Sequence, residues 1–282
     1  MQTKKVAIIN LKGGCAKTTT TLQLATMLAG KEDKHVLVID LDPQTNATLA
    51  LIGEDRWKQL NDQGLTLHTL FRSALDGSGS VDISNLIQKD VGNIGDVRGL
   101  DLVPSSLDMV DLQDRIGLAG NNQFAYLNPT DILLHALNSI TNKYDYILFD
   151  CPPNLGLITL NGLRVADGFV IPTIPDYLST YGIPMIVNRV EKFSRSIGRP
   201  IICFGVIPTK VRAQSHEHLV TICDLRKGRD APCFFAEISE STCISRATEY
   251  VHYDTLKQKW GYGKQYEQIR CLTDEFEWRC DD

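Results

Sequence analysis

Short apolar runs alternate along this chain with longer stretches whose apolar residues recur at helical spacing. The short runs predict buried strands at 5–10, 35–40, 100–104, 145–150, 168–172, 201–207 and 233–237. The longer stretches predict helices at 17–30, 127–142, 157–166, 179–197, 214–227 and 264–277. Because strands and helices alternate, we predict an α/β fold. Its sheet would be mostly parallel and doubly wound, with about seven to eight strands and helices on both faces.

A single domain is expected, because no segment has the composition of a linker. The 282 residues suit one large α/β domain, and no internal repeat or low-complexity tract divides them. The least regular part is about 53–98, which includes the glycine-rich stretch DGSGS at 76–80. We expect this part to form helices and loops inserted into one domain that spans 1–282.

Composition places the chain among ordinary globular proteins. It is 43% hydrophobic and 22% charged, and its formal net charge of −5 excludes a polycation. No apolar run has the length of a membrane span, and the N-terminus lacks the apolar core of a signal peptide. We therefore expect a cytoplasmic protein without stable membrane insertion. Eight scattered cysteines without a C-x-x-C pair favour reduced thiols over zinc ligands.

The segment KKVAIINLKGGCAKTTTT at 4–21 carries the clearest chemistry. A β-type run enters a glycine pair and a helix-forming stretch follows, which is the order of a nucleotide triphosphate site. Gly13 and Gly14 let the backbone wrap round phosphate oxygens, and the helix N-terminus adds positive potential. Lys17 supplies a mobile cation for the β- and γ-phosphates, and Thr18 supplies a hydroxyl for Mg²⁺.

This loop departs from the standard pattern G-x-x-x-x-G-K-[ST]. Leu11 and Ala16 occupy the two glycine positions, and the chain has K-G-G-x-x-K-T instead, with a second lysine, Lys12, at its start. Cys15 lies inside the loop, where the helix N-terminus and two lysines would lower its pKa. A phosphate-binding loop remains the prediction, because two carboxylate motifs follow it at suitable intervals.

Both carboxylate motifs come at the end of a predicted buried strand. VLVIDLDPQTNAT at 36–48 contains Asp40 and Asp42, whose spacing of two directs both carboxylates the same way. YDYILFDCPPNLG at 144–156 contains Asp150, which can hold Mg²⁺ through its water shell. The alternative for Asp150 is a cap on the following helix. Since ligands bind beyond the carboxyl ends of strands in doubly wound sheets, these carboxylates are candidates for the nucleotide site.

Together these motifs resemble the ParA/MinD family of deviant Walker-A ATPases. Within this family, the motifs are most similar to those of the ParA/Soj-type partition ATPases that lack an N-terminal DNA-binding domain. The resemblance covers most of the first 210 residues, including VPSSLDMVDL at 103–112 and GFVIPTIPDYLSTYGI at 168–183. It implies a P-loop NTPase fold, ATP and Mg²⁺ as cofactors, and ATP hydrolysis that is weak without a partner.

The resemblance also implies roles for individual residues. Lys12 would reach across a nucleotide-sandwich dimer to the phosphates of the other subunit, and Asp42 would orient the attacking water. The implied catalytic residues are Lys12, Lys17 and Asp42, and the implied metal-site residues are Thr18, Asp40 and Asp150. The implied nucleotide contacts are Lys12, Gly13, Gly14, Cys15, Ala16, Lys17, Thr18, Thr19 and, in GVIPTKVRAQSHEH at 205–218, Thr209 beside Lys210.

Positive charge is concentrated in one segment of this acidic protein. Between 186 and 229, nine Lys or Arg residues stand against three acidic residues, which is typical of a patch that binds phosphate backbones. An ordinary solvated helix face is the alternative. In SESTCISRATEY at 239–250, Cys243 occupies the place of the family's basic DNA contact, and Arg246 lies one turn on. The candidate DNA contacts are Arg189, Arg195 and Arg246.

The leading interpretation is an ATPase that forms a homodimer on binding ATP and binds nonspecific DNA in that state. It would segregate or position DNA on the nucleoid, together with a ParB-like stimulating partner. The chain starts four residues before its first predicted strand, so we expect no DNA-binding domain before the ATPase.

Three other classes of protein remain as alternatives. A MinD-like ATPase would act on a membrane or a non-DNA cargo, but a membrane role needs a basic amphipathic C-terminal helix, and 274–282 carries five acids against one Arg. A nitrogenase iron-protein type of enzyme needs paired cysteines at a metal cluster, for which only Cys151 is a candidate. A nucleotide-free scaffold would not need Lys12, Lys17 and Asp42 together.

Overall fold

The computed structural model describes residues 2–78, 81–112 and 128–281. These residues form one parallel sheet of six strands. The strands are β1 (Lys4–Ile8), β2 (Val36–Asp40), β3 (Leu100–Val103), β4 (Tyr146–Asp150), β5 (Gly168–Thr173) and β6 (Ile202–Pro208). Their order across the sheet is β3-β2-β4-β1-β5-β6. Since the chain leaves β1 toward one side of the sheet and later fills the other side, a crevice forms at its carboxyl edge.

Helices connect these strands and complete the chain. They are α1 (Lys17–Gly30), α2 (Asn46–Ile52), α3 (Glu54–Asp62), α4 (Leu67–Asp76), α5 (Ile132–Leu137), α6 (Leu157–Val165), α7 (Tyr177–Thr180), α8 (Ile183–Ser196), α9 (His216–Lys227), α10 (Thr242–Arg246), α11 (Leu256–Trp260) and α12 (Lys264–Asp281). Short 3₁₀ turns lie at Ile83–Asn85, Pro129–Asp131 and Thr141–Lys143. Among the described residues, no helix is both long enough and apolar enough to cross a membrane.

Both faces of the sheet are covered, as the alternation along the first strand shows. Val6 and Ile8 belong to the hydrophobic core on one face, while Ala7 and Ile9 belong to the core on the other. The first core packs α1, α10, α11 and α12 against the sheet. The second core packs α4, α5, α6 and α8 against the opposite face. This two-faced burial explains why the strands are continuous apolar runs.

Six of the predicted strands are confirmed, and the seventh, at 233–237, is wrong. Within the described residues this stretch makes only an isolated bridge to β6. The backbone N–H groups of Phe235 and Ala236 donate instead to the carboxylate of Glu275 on α12, at 3.0 and 2.8 Å. Because a side chain takes these donors, they do not pair with a strand, and the described sheet has six strands rather than seven to eight.

Two predicted helices are interrupted. The helix predicted at 127–142 is α-helical only at α5, with 3₁₀ turns on either side, and residue 127 lies outside the described residues. The helix predicted at 179–197 divides into α7 and α8 around Gly182, and Pro184 follows in the first turn of α8, where its missing N–H costs nothing. The expected insertion at 53–98 contains α3, α4 and a 3₁₀ turn, with residues 79–80 outside the described part.

Candidate nucleotide site

The loop between β1 and α1 has the backbone of a phosphate cradle. Gly14 and Ala16 both adopt left-handed conformations, with φ of +75° and +70°. Ala16 is the residue immediately before α1. Its left-handed backbone, which is strained for a residue other than glycine, directs the first N–H groups of α1 into the loop. A Cβ atom built on Gly13 or Gly14 would meet no other atom within 4 Å, which shows that both glycines face open space.

A cavity of about 550 Å³ opens in front of this loop. Its lining combines the loop with parts of the chain that follow β2, β4 and β6: Gly13, Gly14, Ala16, Lys17, Thr18, Thr19, Asp42, Gln44, Asn46, Leu49, Pro153, Lys210 and Thr248. Lys17 is buried, and its Nζ donates to the carbonyl oxygen of Lys12 at 3.2 Å, so the ammonium lies within the loop. The fold therefore brings together seven of the predicted site residues round one space.

Asp150, at the end of β4, is fully buried directly behind the loop. Its two oxygens accept hydrogen bonds from the hydroxyls of Thr18 and Thr21, at 2.7 and 3.0 Å. Burial raises the pKa of Asp150 to about 6, while the two threonine hydroxyls and Lys17 limit the rise. The carboxylate thus contacts the Thr18 hydroxyl, which is the hydroxyl predicted to bind Mg²⁺.

Asp40, at the end of β2, holds the following loop in place. Its Oδ1 accepts from the backbone N–H of Asp42 at 3.1 Å, and its Oδ2 accepts from the N–H and hydroxyl of Thr48 at 2.9 and 2.7 Å. Burial, and then the charge of Asp150, raise the pKa of Asp40 well above its usual range. One oxygen thus holds the loop after β2 and the other holds the first turn of α2, and Asp40 is outside the lining of the cavity.

Asp42, by contrast, lines the cavity itself. Its Oδ1 accepts from the N–H of Gln44 at 2.9 Å, and its carbonyl oxygen accepts from the N–H of Thr45 at 2.9 Å. Thr45 is left-handed, with φ of +55°, so the backbone turns sharply just after the carboxylate. This turn holds Asp42 at the wall of the cavity and leaves Oδ2 for a ligand.

Comparison with known proteins decides the family. A family model described as an AAA domain matches residues 3–202, more than half of the chain. The sporulation initiation inhibitor protein Soj of Bacillus subtilis is 30% identical over 224 residues, which is 79% of each chain. The chain belongs to the ParA/MinD family. The chromosome partitioning protein ParA of Myxococcus xanthus, another member, is 31% identical over 204 residues, 72% of this chain and 64% of that protein.

Solved structures show the same P-loop NTPase fold. A putative plasmid partition protein from Borrelia burgdorferi bound to AMPPNP superposes with a TM-score of 0.72 at 22% identity, covering 99% of this chain and 100% of that one. Cobyrinic acid a,c-diamide synthase from Mycobacterium smegmatis, with a bound ATP analog and magnesium, gives 0.74 at 22% identity, covering 96% and 93%. The chain spans only 58% of the length of two uncharacterized Mycobacterium tuberculosis proteins that it matches at 31% identity.

Lys12, the lysine that marks this family's loop, is directed away from the cavity. Its Nζ donates to the hydroxyl of Ser179 at 2.7 Å and lies 3.4 Å from the carboxylate of Asp176. Asp176 caps α7, and its side chain also accepts from the N–H of Ser179 at 2.7 Å. The ammonium is therefore held at α7, and 40% of the Lys12 side chain is exposed.

Cys15 differs from the expectation of a low pKa. Its side chain is fully buried, and its Sγ donates to the carbonyl oxygen of Lys12 at 3.1 Å. Burial raises the pKa of the Cys15 thiol, and the charge of Lys17 only partly opposes this. Burial likewise raises the pKa of Cys151 well above its usual range. Both thiols thus favour the neutral form, which packs as a small apolar group.

Thr209 supports the loop rather than facing the cavity in front of it. Its hydroxyl is buried and donates to the carbonyl oxygen of Cys15 at 3.0 Å. Its neighbour Lys210, which is left-handed with φ of +50°, lines the cavity instead. Sequence analysis did not select Thr248, which also lines the cavity, because the segment 239–250 that contains it was interpreted as a DNA contact and lies far along the chain from the other site residues.

The predicted DNA contacts lie on two different layers. Arg189 and Arg195 are exposed on α8, which packs on the core of one sheet face. Arg246 is exposed on α10, whose Ile244 packs on the core of the opposite face. Within one described subunit, Arg246 therefore lies on a different layer from Arg189 and Arg195.

Acidic residues outside the basic segment also reduce its charge. The ion pairs join Arg199 to Asp167 at 3.5 Å, Arg212 to Glu240 at 2.6 Å, and Arg226 to Glu237 at 2.8 Å. Counting charges along the sequence misses these pairs, because the acids come from other parts of the fold. On α8, Arg189 is exposed and makes no ion pair among the described residues, whereas Arg195 lies 3.2 Å from Glu191.

Proposed function

We propose that this chain is an ATPase that dimerises on binding ATP, binds DNA without sequence preference in that state, and segregates or positions DNA. The observation that carries the proposal is the contact between Thr18 and the buried carboxylate of Asp150, beside Lys17 and Asp42 at one cavity. This is the donor set of a Mg²⁺–phosphate site in a P-loop NTPase. Membership of a family that contains Soj and ParA supports the same activity.

ATP and Mg²⁺ are the ligands of this site, and the residues present fit them. The open faces of Gly13 and Gly14 suit phosphate oxygens, and the buried ammonium of Lys17 suits the charge of the β- and γ-phosphates. Thr18 would ligate Mg²⁺ directly, with Asp150 behind it acting through the water shell and Asp40 next to Asp150 in the sheet, near that shell. When bound, Mg²⁺ neutralises the charge that develops on the phosphates.

Hydrolysis would depend on Asp42 and Lys12. Asp42 lines the cavity, and among the described residues its Oδ2 accepts no hydrogen bond, which suits a group that orients water for attack on the γ-phosphate. Lys12 points out of its own cavity and is partly exposed, which suits a contact with the nucleotide of a second subunit. Hydrolysis would then be slow in a single subunit, and a ParB-like partner that stabilises the assembled site would accelerate it.

DNA binding would use the exposed arginines on α8 together with Arg246 from the other layer. Two weak patches held in one rigid dimer bind by avidity, so nucleotide state can control DNA affinity. The membrane alternative receives no support from α12, because its apolar residues Ile269, Leu272 and Phe276 are buried in the core. An amphipathic membrane anchor needs that stripe to be free.

The test combines phosphate release with mobility shifts on two unrelated duplexes. With ATP and Mg²⁺ we expect equal affinity for both duplexes, a steep fall in affinity with rising salt, and much weaker binding with ADP. The absence of DNA affinity at low salt in an ATP-loaded dimer would contradict the DNA part of the proposal. The absence of phosphate release at any protein concentration, with or without DNA, would contradict the assignment as an ATPase.

A further inference from the structure

A pocket of about 350 Å³ opens at the amino-terminal edge of the sheet, the edge opposite the nucleotide cavity. It is bounded by Lys5 of β1, the end of α5, Arg164 and Val165 at the end of α6, and Arg199 after α8. We call it the basal pocket. At about 3.3 Å per residue, the five residues of β1 separate this pocket from the phosphate loop by roughly 15 Å. A ligand here is therefore separate from the nucleotide.

The wall of the basal pocket is positively charged. Its polar side chains are Lys5, Asn138, Thr141, Asn142, Arg164 and Arg199, and the described residues that line it include no acidic one. The three cations lie far apart in the chain and are brought together only by the fold. Since a concave wall that carries one sign of charge focuses its potential into the space it encloses, the basal pocket suits an anion.

Two carboxylates outside the lining neutralise only part of this charge. Arg164 Nε lies 2.5 Å from Asp131. Asp167 is shared between two cations, because it lies 3.3 Å from Lys5 Nζ and 3.5 Å from Arg199 Nη1. Three cations thus stand against two acids, which leaves one positive charge in excess. The cation side chains are only 14%, 20% and 33% exposed, so bulk water screens that excess poorly.

The guanidinium of Arg199 is incompletely paired. Its Nη2 donates to the carbonyl oxygens of Arg164 and Ala166 at the end of α6. The contact of Nη1 with Asp167, at 3.5 Å, is at the outer limit of a hydrogen bond. Nε is buried and makes no hydrogen bond within the described residues. Because an unpaired donor on a buried charged group is costly, an oxyanion in the basal pocket would stabilise this side chain.

We propose that the basal pocket binds the phosphate group of a small phosphomonoester that is not the nucleotide substrate. Guanidinium groups match the geometry of phosphate oxygens, and three converging cations suit a dianion better than a carboxylate. The exposed amide of Asn142 adds a neutral donor at the mouth. Leu134, Leu137 and Val165 form the apolar part of the wall, which suits the carbon skeleton of the ligand.

A small ligand fits this pocket better than a DNA backbone does. Side chains that meet duplex phosphates protrude from the surface, as Arg195 does with 80% of its side chain exposed. The cations of the basal pocket are recessed instead, and its volume is that of a small-molecule site. The inference goes beyond the proposed function and does not depend on it, because no residue of the phosphate loop takes part.

The test uses the Lys17→Ala variant of the whole chain, so that the phosphate loop does not dominate anion binding. Calorimetry at constant ionic strength compares phenyl phosphate, inorganic phosphate and benzoate. Phenyl phosphate should bind about tenfold more tightly than benzoate, since both carry the ring but only one carries a phosphate. It should also bind more tightly than inorganic phosphate, because its ring adds contact with the apolar wall.

Two further substitutions, each combined with Lys17→Ala, assign the binding to the basal pocket. Asn142→Asp places a negative charge at the mouth with little change of shape and should weaken phenyl phosphate binding about tenfold. Lys5→Met removes one cation, keeps most of the side-chain volume and should weaken binding by a similar factor. Asn85→Asp, at an exposed asparagine outside the lining, is the matched control and should change nothing.

Thermal melting shows that each variant is folded before its affinity is compared. Phenyl phosphate that does not bind, or that binds equally well to the Asn142→Asp and Lys5→Met proteins, would overturn the inference. Inorganic phosphate that binds as tightly as phenyl phosphate would make free phosphate the ligand and overturn the assignment to a phosphomonoester. Displacement of phenyl phosphate by a short DNA duplex would also overturn it. None of these outcomes bears on the proposed function, which phosphate release by the wild-type protein tests separately.

Discussion

Asp40 and Asp150 stand directly opposite each other in the register of β2 and β4, and both are fully buried. Two carboxylates at the ends of adjacent strands, away from bulk water, make each other harder to ionise. The pKa of each is raised, with burial as the main cause, and that of Asp150 reaches about 6. This pair concentrates negative charge behind Thr18, where a divalent cation relieves it.

The first prediction concerns the stability cost of this charge. Folded Asp150 binds its proton more tightly than the unfolded chain does, so between about pH 4 and about pH 6 stability falls as the pH rises. Above about pH 6, the loss of stability caused by ionising the buried Asp150 has reached its full size. Asp150→Asn should therefore raise the free energy of unfolding by about 1–3 kcal/mol at pH 7.5. Urea denaturation should show that this gain shrinks at pH 5, and a gain of equal size at both pH values would contradict it.

The control for this experiment is Asp108→Asn, at an exposed carboxylate. It should change the free energy of unfolding little at either pH. The Asp150→Asn protein should in addition lose the dependence of ATP binding on Mg²⁺, because the amide adds no charge behind Thr18.

The second prediction tests the phosphate contact. Lys17→Ala should abolish tight ATP binding, since removing a buried charge-assisted contact to phosphate costs about 2–5 kcal/mol. Calorimetry with ATP and Mg²⁺ measures the effect. Lys31→Ala serves as control, because Lys31 lies at the opposite end of α1 and pairs with Asp274 on the surface. Unchanged affinity in the Lys17 variant would remove the basis for the phosphate-binding loop.

The strand–loop–helix unit could be predicted because its information is local. The apolar run before Gly13, the glycine pair and the helix-forming residues after Lys17 are adjacent in the chain, and each favours the conformation it adopts. The same holds for Asp42 and Asp150, which directly follow or end buried strands. The local pattern was therefore enough to predict the glycine loop and the carboxylates that the fold places next to it.

Features that depend on distant contacts could not be predicted this way. The segment at 233–237 has strand-like residues, but Glu275 on α12 takes two of its backbone donors. The partners of Lys12 are Asp176, which caps α7, and Ser179, which lies on α7. The local sequence around 233–237 and around Lys12 does not predict these contacts, because they arise from packing between elements that are far apart in the chain.

The third prediction separates nucleotide binding from turnover and from dimerisation. Asp42→Ala leaves the phosphate loop intact but removes the proposed water-orienting carboxylate, so it should bind ATP, hydrolyse it poorly and accumulate as a dimer. Lys12→Ala should instead weaken the ATP-dependent dimer. Light scattering with ATP and with ADP measures the dimerisation of both variants. A Lys12 variant that dimerises like wild type would contradict a role for Lys12 across the interface.

The fourth prediction concerns Lys259, which is buried with Asn93 as its hydrogen-bond partner at 2.5 Å and lies near the rings of Tyr253 and Trp260. Burial lowers the pKa of Lys259 to about 8. Between about pH 8 and 10.5 the unfolded chain therefore holds more protons, and stability rises with pH in this window. Lys259→Met should raise stability relative to wild type more at pH 7 than at pH 9.5, by a difference of about 1–3 kcal/mol.

Urea denaturation at the two pH values measures this difference. Lys257→Met, at an exposed lysine of the same helix, is the matched control and should show no such dependence on pH. A Lys259→Met effect that is equal at pH 7 and pH 9.5 would mean that the ammonium of Lys259 is not held in a dry environment.

The last prediction asks which layer of the fold meets DNA. Arg189→Glu combined with Arg195→Glu reverses charge on α8 alone, and Arg246→Glu reverses it on the opposite layer. If each arginine of both subunits neutralises one phosphate, the α8 variant should lower the slope of log affinity against log salt by about four, and the Arg246 variant by about two. Both should dimerise with ATP like wild type, and Lys58→Glu on α3 should change neither property. Equal loss of affinity for unrelated duplexes would fit contacts to phosphates alone. DNA affinity that survives both reversals would place the DNA surface outside α8 and α10, and the positive segment at 186–229 would then be a solvated face.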